Sequence, residues 1–119
     1  MPGLTRADIY RRAYNWLDDN TTRRRITSLD GNFDVGRIKG GVICYIRTDR
    51  PYRVSTNFTI DVYDARVEIK FDEAILQRTD ANQRVVGNPE RIFLQSIATA
   101  AQEELIDFST SLRSYIISR

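Results

Sequence analysis

The residues that could carry chemistry are few, and the missing types exclude most of it. The chain of 119 residues has no histidine and a single cysteine, Cys44. Without histidine there is no Ser-His-Asp or Cys-His catalysis, no histidine-ligated zinc and no imidazole pH switch. One cysteine cannot form an intrachain disulfide and leaves the redox compartment open. At an apolar position of a strand it reads as an inert, buried, small hydrophobe. Any metal would need carboxylates. Asp30, Asn32 and Asp34 alternate around Gly31 like the start of a calcium loop, but the glycine at the sixth place and the acid at the twelfth are missing. Gly36, Gly40 and Gly41 fit neither nucleotide-binding spacing. The expectation is therefore no catalytic residue, no cofactor, no metal and no enzyme.

Two acids remain of interest. If Asp64-Ala65 is a two-residue hairpin connection, Tyr63 pairs with Arg66 and Asp61 stands directly opposite Glu68. Opposed carboxylates can raise one another's pKa, and arginines nearby (Arg53 and Arg66) can instead balance their charge. Arginine outnumbers lysine sixteen to two, which favours planar, bidentate or stacked contacts. The net charge of +2 is nevertheless too small to imply a polyanionic partner. Arg23-Arg24-Arg25 is the only dense run, and three residues make a poor nucleic-acid signature.

The elements that must position these groups follow from periodicity. Thr5 and Asp8 form a capping box, Leu4 and Ile9 a hydrophobic staple, and Ile9, Ala13, Trp16 and Leu17 one helical stripe ending near Asp19-Asn20. Arg24 to Leu29 reads as a first strand, followed by a turn at Asp30-Gly31-Asn32. From Arg37 to Arg47 the residues Ile38, Gly40, Val42, Cys44 and Ile46 share a face, and Gly40-Gly41 predicts a bulge, a bend or a close backbone approach. After a turn at Asp49-Arg50-Pro51, Tyr52, Val54, Thr56, Phe58, Ile60 and Val62 alternate, as do Val67, Ile69 and Phe71. Gln77 to Gly87 is polar and reads as a loop. Asn88-Pro89-Glu90 then has the form of a helix start, with Phe93, Ile97, Ala101, Leu105, Phe108, Leu112 and Ile116 on one stripe. A helix of about 30 residues, roughly 45 Å, would overhang the sheet near Tyr115, Ile116 and Ile117. That overhang is a candidate dimer contact.

The order α-β-β-β-β-α, with apolar alternation on one side only, predicts an α+β domain spanning 1–119. Its mainly antiparallel four-stranded sheet has both helices packed on one face. Trp16, Phe58, Phe71, Phe93 and Phe108 supply the aromatic part of the core. The opposite face is free. It carries Lys39, Ile43, Tyr45 and Arg47; Arg53, Ser55, Asn57, Thr59, Asp61 and Tyr63; and Arg66, Glu68 and Lys70. Of these, Lys39, Tyr45, Arg47, Arg53, Asn57, Tyr63, Arg66 and Lys70 are the candidate binding face. Tyrosines beside arginines suit a nucleic acid, glycan or peptide, and they equally suit a solvated or self-associating sheet face. No run reaches the roughly 18 apolar residues of a membrane span, and no basic start precedes an apolar run as in a signal peptide.

The segment LTRADIYRRAYNWL (residues 4–17), the basic Ile-Thr-Ser strand, GRIKGGV (36–42) and FTIDVYDARVEIKF (58–71) together resemble a family of bacterial domains of unknown function with a TATA-box-binding-protein-like (TBP-like) fold. The resemblance covers residues 4–75. It implies a curved antiparallel sheet with helices on one side, and a small envelope, periplasmic or lipoprotein setting. It brings no catalytic residues. DNA binding does not follow from the fold name, and the free face lacks the phenylalanine wedges that kink a minor groove. Two readings stand. One is a non-enzymatic envelope module binding a protein, glycan or peptide, with a homodimer through the last helix or a sheet edge as one form. The alternative is a nucleic-acid-binding module on the basic, tyrosine-containing face.

Overall fold

The computed structural model describes residues 3–47, 50–72, 74–80, 82–86, 90–91 and 95–118. Helix α1 spans Arg6–Asp19, and both halves of its capping box form: Thr5 accepts from the Asp8 N–H, and the Asp8 carboxylate accepts from the Thr5 N–H. The Arg6 N–H, another donor with no partner inside the helix, is taken by Asp64 Oδ1 at 2.8 Å. At the other end Asn20 caps, its own N–H and side-chain amide donating to the Trp16 carbonyl.

Strands β1 (Ile26–Asn32), β2 (Arg37–Arg47), β3 (Pro51–Tyr63) and β4 (Arg66–Phe71) form an antiparallel meander. Asp30-Gly31-Asn32 belongs to β1 rather than to a turn. The reversal comes later, over 33–36, where Gly36 has φ +74° and its N–H donates to the Asn32 carbonyl. Gly31 pairs with Ile38 in the ladder, and its lack of a side chain leaves the place of a Cβ to the Tyr10 hydroxyl. The β3–β4 connection is the two-residue Asp64-Ala65, with Tyr63 opposite Arg66 and Asp61 opposite Glu68, as expected.

Polarity misreads the next stretch. Ile75–Arg78 is strand β5, which pairs with the first half of β3 and prolongs the line of β4; Glu90–Arg91 is a short strand, β6, paired with β5. Between them, the Asp80 carboxylate accepts from the N–H groups of Asn82 and Arg84, tying a tight turn that polar composition disguises as a loop. The sheet thus has the four long strands expected, with the fourth position shared by β4 and β5 and β6 beyond them.

Helix α2 runs Gln95–Ser118. The expected start at Asn88-Pro89-Glu90 is overturned, because Glu90 lies in β6; Asn88, Pro89 and Phe93 lie outside the described residues. Its 24 residues extend about 36 Å, no longer than the long strands, and of the expected overhang residues Tyr115 is half-buried and only Ile117 is exposed. Ile116 is fully buried, and its carbonyl accepts from Arg12 of α1 at 2.7 Å.

Both helices cover the same face. Strand alternation holds along β2 and β3: Ile38, Val42, Cys44 and Ile46 in β2 and the six even-numbered residues 52–62 of β3 are buried. Phe108 is the hub, with ring centroids of Trp16, Phe58 and Phe71 at 5.4, 5.5 and 6.0 Å. Gly40 makes room for that cluster: a Cβ there would lie 2.5 Å from both the Phe58 ring and the Ser28 carbonyl. The pairing of β1 with β2 slips by one residue beside Gly41, the bulge that the Gly-Gly pair announces.

Candidate functional site

The sheet's second face is covered by neither helix, and its side chains lie in rows across the strands. Asn32, Arg37, Asp61 and Glu68 form one row; Asp30, Lys39, Thr59 and Lys70 the next; Ser28, Gly41 and Asn57 a third; and Tyr45, Arg53 and Gln77 lie near the far end. All eight candidate residues lie on this face, in three groups.

The central group is Lys39, Asn57 and Lys70. Each is exposed, and neither lysine has an ion pair among the described residues. At one end Arg66 stacks over Tyr63, its guanidinium carbon 4.3 Å from the ring centroid. At the other end Tyr45 is covered by Arg25 at 5.1 Å, and Arg53 donates to Gln77 Oε1 at 2.9 Å while its buried Nε has no partner. Arg47 is exposed at the end of β2. Arg25 and Gln77 were not foreseen in the sequence. Gln77 was hidden by the loop reading of its strand, and Arg25 sits at the end of β1, where alternation has no power.

The opposed acids are each matched by an arginine. Arg37 Nε donates to Asp61 Oδ1 at 2.7 Å, and Arg66 lies 3.8 Å from Glu68. That hydrogen bond with Asp61 holds Arg37 protonated above its ordinary value. The partner of Asp61 is thus Arg37 rather than Arg53, because Arg37 faces Asp61 directly across β2 and β3. The arginine run is also divided. Arg24 clasps α2, donating to Asp107 Oδ2 at 2.6 Å and Ser111 Oγ at 3.0 Å, and lies over Trp16; Arg23 and Arg25 are exposed.

Cys44 is buried on the core side, where burial, then the Glu104 carboxylate, push its thiol up to about 11. Such a thiol stays protonated at neutral pH and is a poor nucleophile. Among the described residues no group of three cysteine or carboxylate side chains could hold a metal, and no helix is long and apolar enough to cross a membrane.

This arrangement of two helices on one face of an open antiparallel sheet recurs in solved structures. A TBP-like protein from Parabacteroides distasonis superposes with a TM-score of 0.79 at 9% identity, covering 98% of this chain and 86% of that one. The fold is TBP-like. A DUF4468 family protein from Bacteroides ovatus matches with a TM-score of 0.64 at 11% identity, over 98% of this chain and 79% of its own. No protein-family model and no curated protein sequence matches the chain. The fold that the sequence resemblance implies is therefore present, and identities this low establish the TBP-like architecture alone.

Proposed function

We propose that this chain is a non-enzymatic binding module of the bacterial cell envelope, taking a protein, glycan or peptide partner on the open face of its sheet. The observation supporting this reading is the central trio Lys39, Asn57 and Lys70, exposed and in no ion pair among the described residues, with Asp30 across the strands from Lys39, between two arginine–tyrosine stacks. Two lysines flanking Thr59 suit a carboxylate or another anionic group. The matched acids and the protonated, buried thiol favour binding over catalysis. The envelope setting rests on the sequence resemblance, and fractionating cells that express the native gene tests it.

Acidic-glycan and acidic-peptide arrays probed with the wild type and a Lys39→Glu, Lys70→Glu double variant test the binding face. A ligand bound by the wild type should be lost at least about tenfold, about 1.4 kcal/mol, in the variant. Equal binding by the two proteins would sink the proposal.

The alternative is nucleic acid, favoured by the same lysines with Arg47, Arg53, Arg66 and the two tyrosines. It predicts binding to oligonucleotides that weakens steeply with salt. Both tyrosine rings are already covered by the chain's own arginines, which disfavours base stacking on them.

A further inference from the structure

Strand β2 outruns its neighbour. β1 begins at Ile26, opposite Val42, and the Arg25 carbonyl accepts from the Ile43 N–H at 3.1 Å. There the chain leaves the sheet: Arg25 has φ +55°, and its N–H is turned to the Thr22 carbonyl. β2 continues to Arg47. In an antiparallel ladder alternate residues point their main-chain groups to the same side, so those of Tyr45 face the way Ile43 does, past the end of β1. No hydrogen bond to the Tyr45 main chain on that side is present among the described residues.

Beside this open edge lies a cleft of about 340 Å³ between the strand and α2, lined by Tyr45, Ile46, Arg47, Ala100, Glu103 and Glu104, among others. A smaller cleft of about 100 Å³ continues it towards Arg25. The two walls differ in charge. On the α2 side, Glu103 and Glu104 are exposed, while Asp107 is held by Arg24. On the open-face side stand Arg25 and Arg47.

We infer that this edge accepts an extended segment of another polypeptide as an added strand, lying where β1 would continue. The Ile43 carbonyl, both main-chain groups of Tyr45 and the Arg47 N–H offer the regular ladder that an added strand pairs with. Side chains of a strand alternate between faces. The segment therefore carries Lys or Arg on the side turned to Glu103 and Glu104, and acids on the side turned to Arg25 and Arg47. This site is separate from the Lys39–Lys70 patch.

The probe is an eight-residue peptide of alternating Lys and Glu, with a second version N-methylated at every other residue to block main-chain pairing. Backbone amide spectra and hydrogen exchange of the full chain are recorded up to about 1 mM peptide. The expected result is a shift, and about tenfold slower exchange, at the Tyr45 and Arg47 amides. Tyr45→Pro removes an outward N–H that an edge strand can spare and should abolish binding. Glu103→Lys with Glu104→Lys should weaken it about tenfold. The Lys39→Glu, Lys70→Glu variant should bind normally, so the outcome is independent of the open-face reading. Equal binding of the N-methylated peptide, or silence at both amides, would overturn the inference. So would protection of Tyr45 that grows with protein concentration alone, since a second copy would then occupy the edge.

Discussion

Gly40 and Asp8 show how much single positions decide here. Gly40 is in a regular strand, so its need for glycine comes from space: Phe58 and the Ser28 carbonyl fill the volume where a Cβ would stand. Gly40→Ala should therefore destabilise the protein by about 1–3 kcal/mol, read as a lower urea midpoint with unchanged slope. An unaltered midpoint would show that the ring simply moves aside. Asp8 makes a prediction in pH. Its hydrogen bonds from Thr5, side chain and then backbone, lower its pKa from 3.8, with Arg11 and Arg12 adding to the effect. A depressed folded pKa means stability that is fully present above the unfolded value and is lost as pH falls through the folded one. The Asp8 carboxyl should titrate with a midpoint below 3.8 by NMR. An Asp8→Asn variant should lose less stability than the wild type on acidification through that range. Position alone made both residues legible: Asp8 follows a capping threonine, and Gly40 stands on the apolar side of a strand.

Among the elements, the edge formed by β4 and β5 was the least legible. Up to Phe71 the odd-numbered residues face the core, whereas in β5 it is Leu76 that does so while Ile75 is 47% exposed. The register slips by one residue between the Phe58–Phe71 and Ser55–Ile75 pairs. Alternation inverts there, so a period-2 reading stops at Phe71 and mistakes the succeeding strand for a loop. Thr56 holds the irregularity, its buried hydroxyl donating to the Asp72 carbonyl at 2.7 Å. Thr56→Val keeps the shape and leaves that carbonyl without its donor, at a cost of about 1–3 kcal/mol. The amide exchange of β5 should rise more than that of α1; a uniform change would mean that the hydroxyl does not hold this break locally. The other elements were legible because caps and apolar stripes agree, as in α1, or because the turn chemistry permits one register, as at Asp64-Ala65.

Over the whole molecule the described core residues fall into two clusters. The larger joins α1, the second half of α2 and the halves of β2 and β3 near Ile38 and Ile60; the smaller holds Cys44, Ile46, Tyr52, Val54, Leu76 and Ala101 under α2 alone. The molecule is correspondingly long, 47 Å against 22 and 21 Å. We expect one domain, with far-UV circular dichroism and Trp16 fluorescence unfolding together. Within it, amides of Val54 and Leu76 should exchange through partial openings at lower denaturant than those of Ile38 and Ile60. Equal protection at both ends would remove the distinction. The open face was legible as a surface because alternation sorts side chains by side. Its grouping was not, since which arginine covers which tyrosine depends on where β1 ends.

The slip beside Thr56 also constrains how such a chain can change over evolutionary time. Losing one residue between Phe71 and Ile75 would remove the extra residue and restore unbroken alternation, with Ile75 and Gln77 still on the open face and Leu76 still in the core. Gaining one would instead turn Ile75 and Gln77 into the core and Leu76 to solvent unless a second irregularity formed. Among descendants that keep this sheet, loss of one residue at this break should therefore be tolerated more readily than gain of one. Variation in length would then mark the bulge even where no residue is shared.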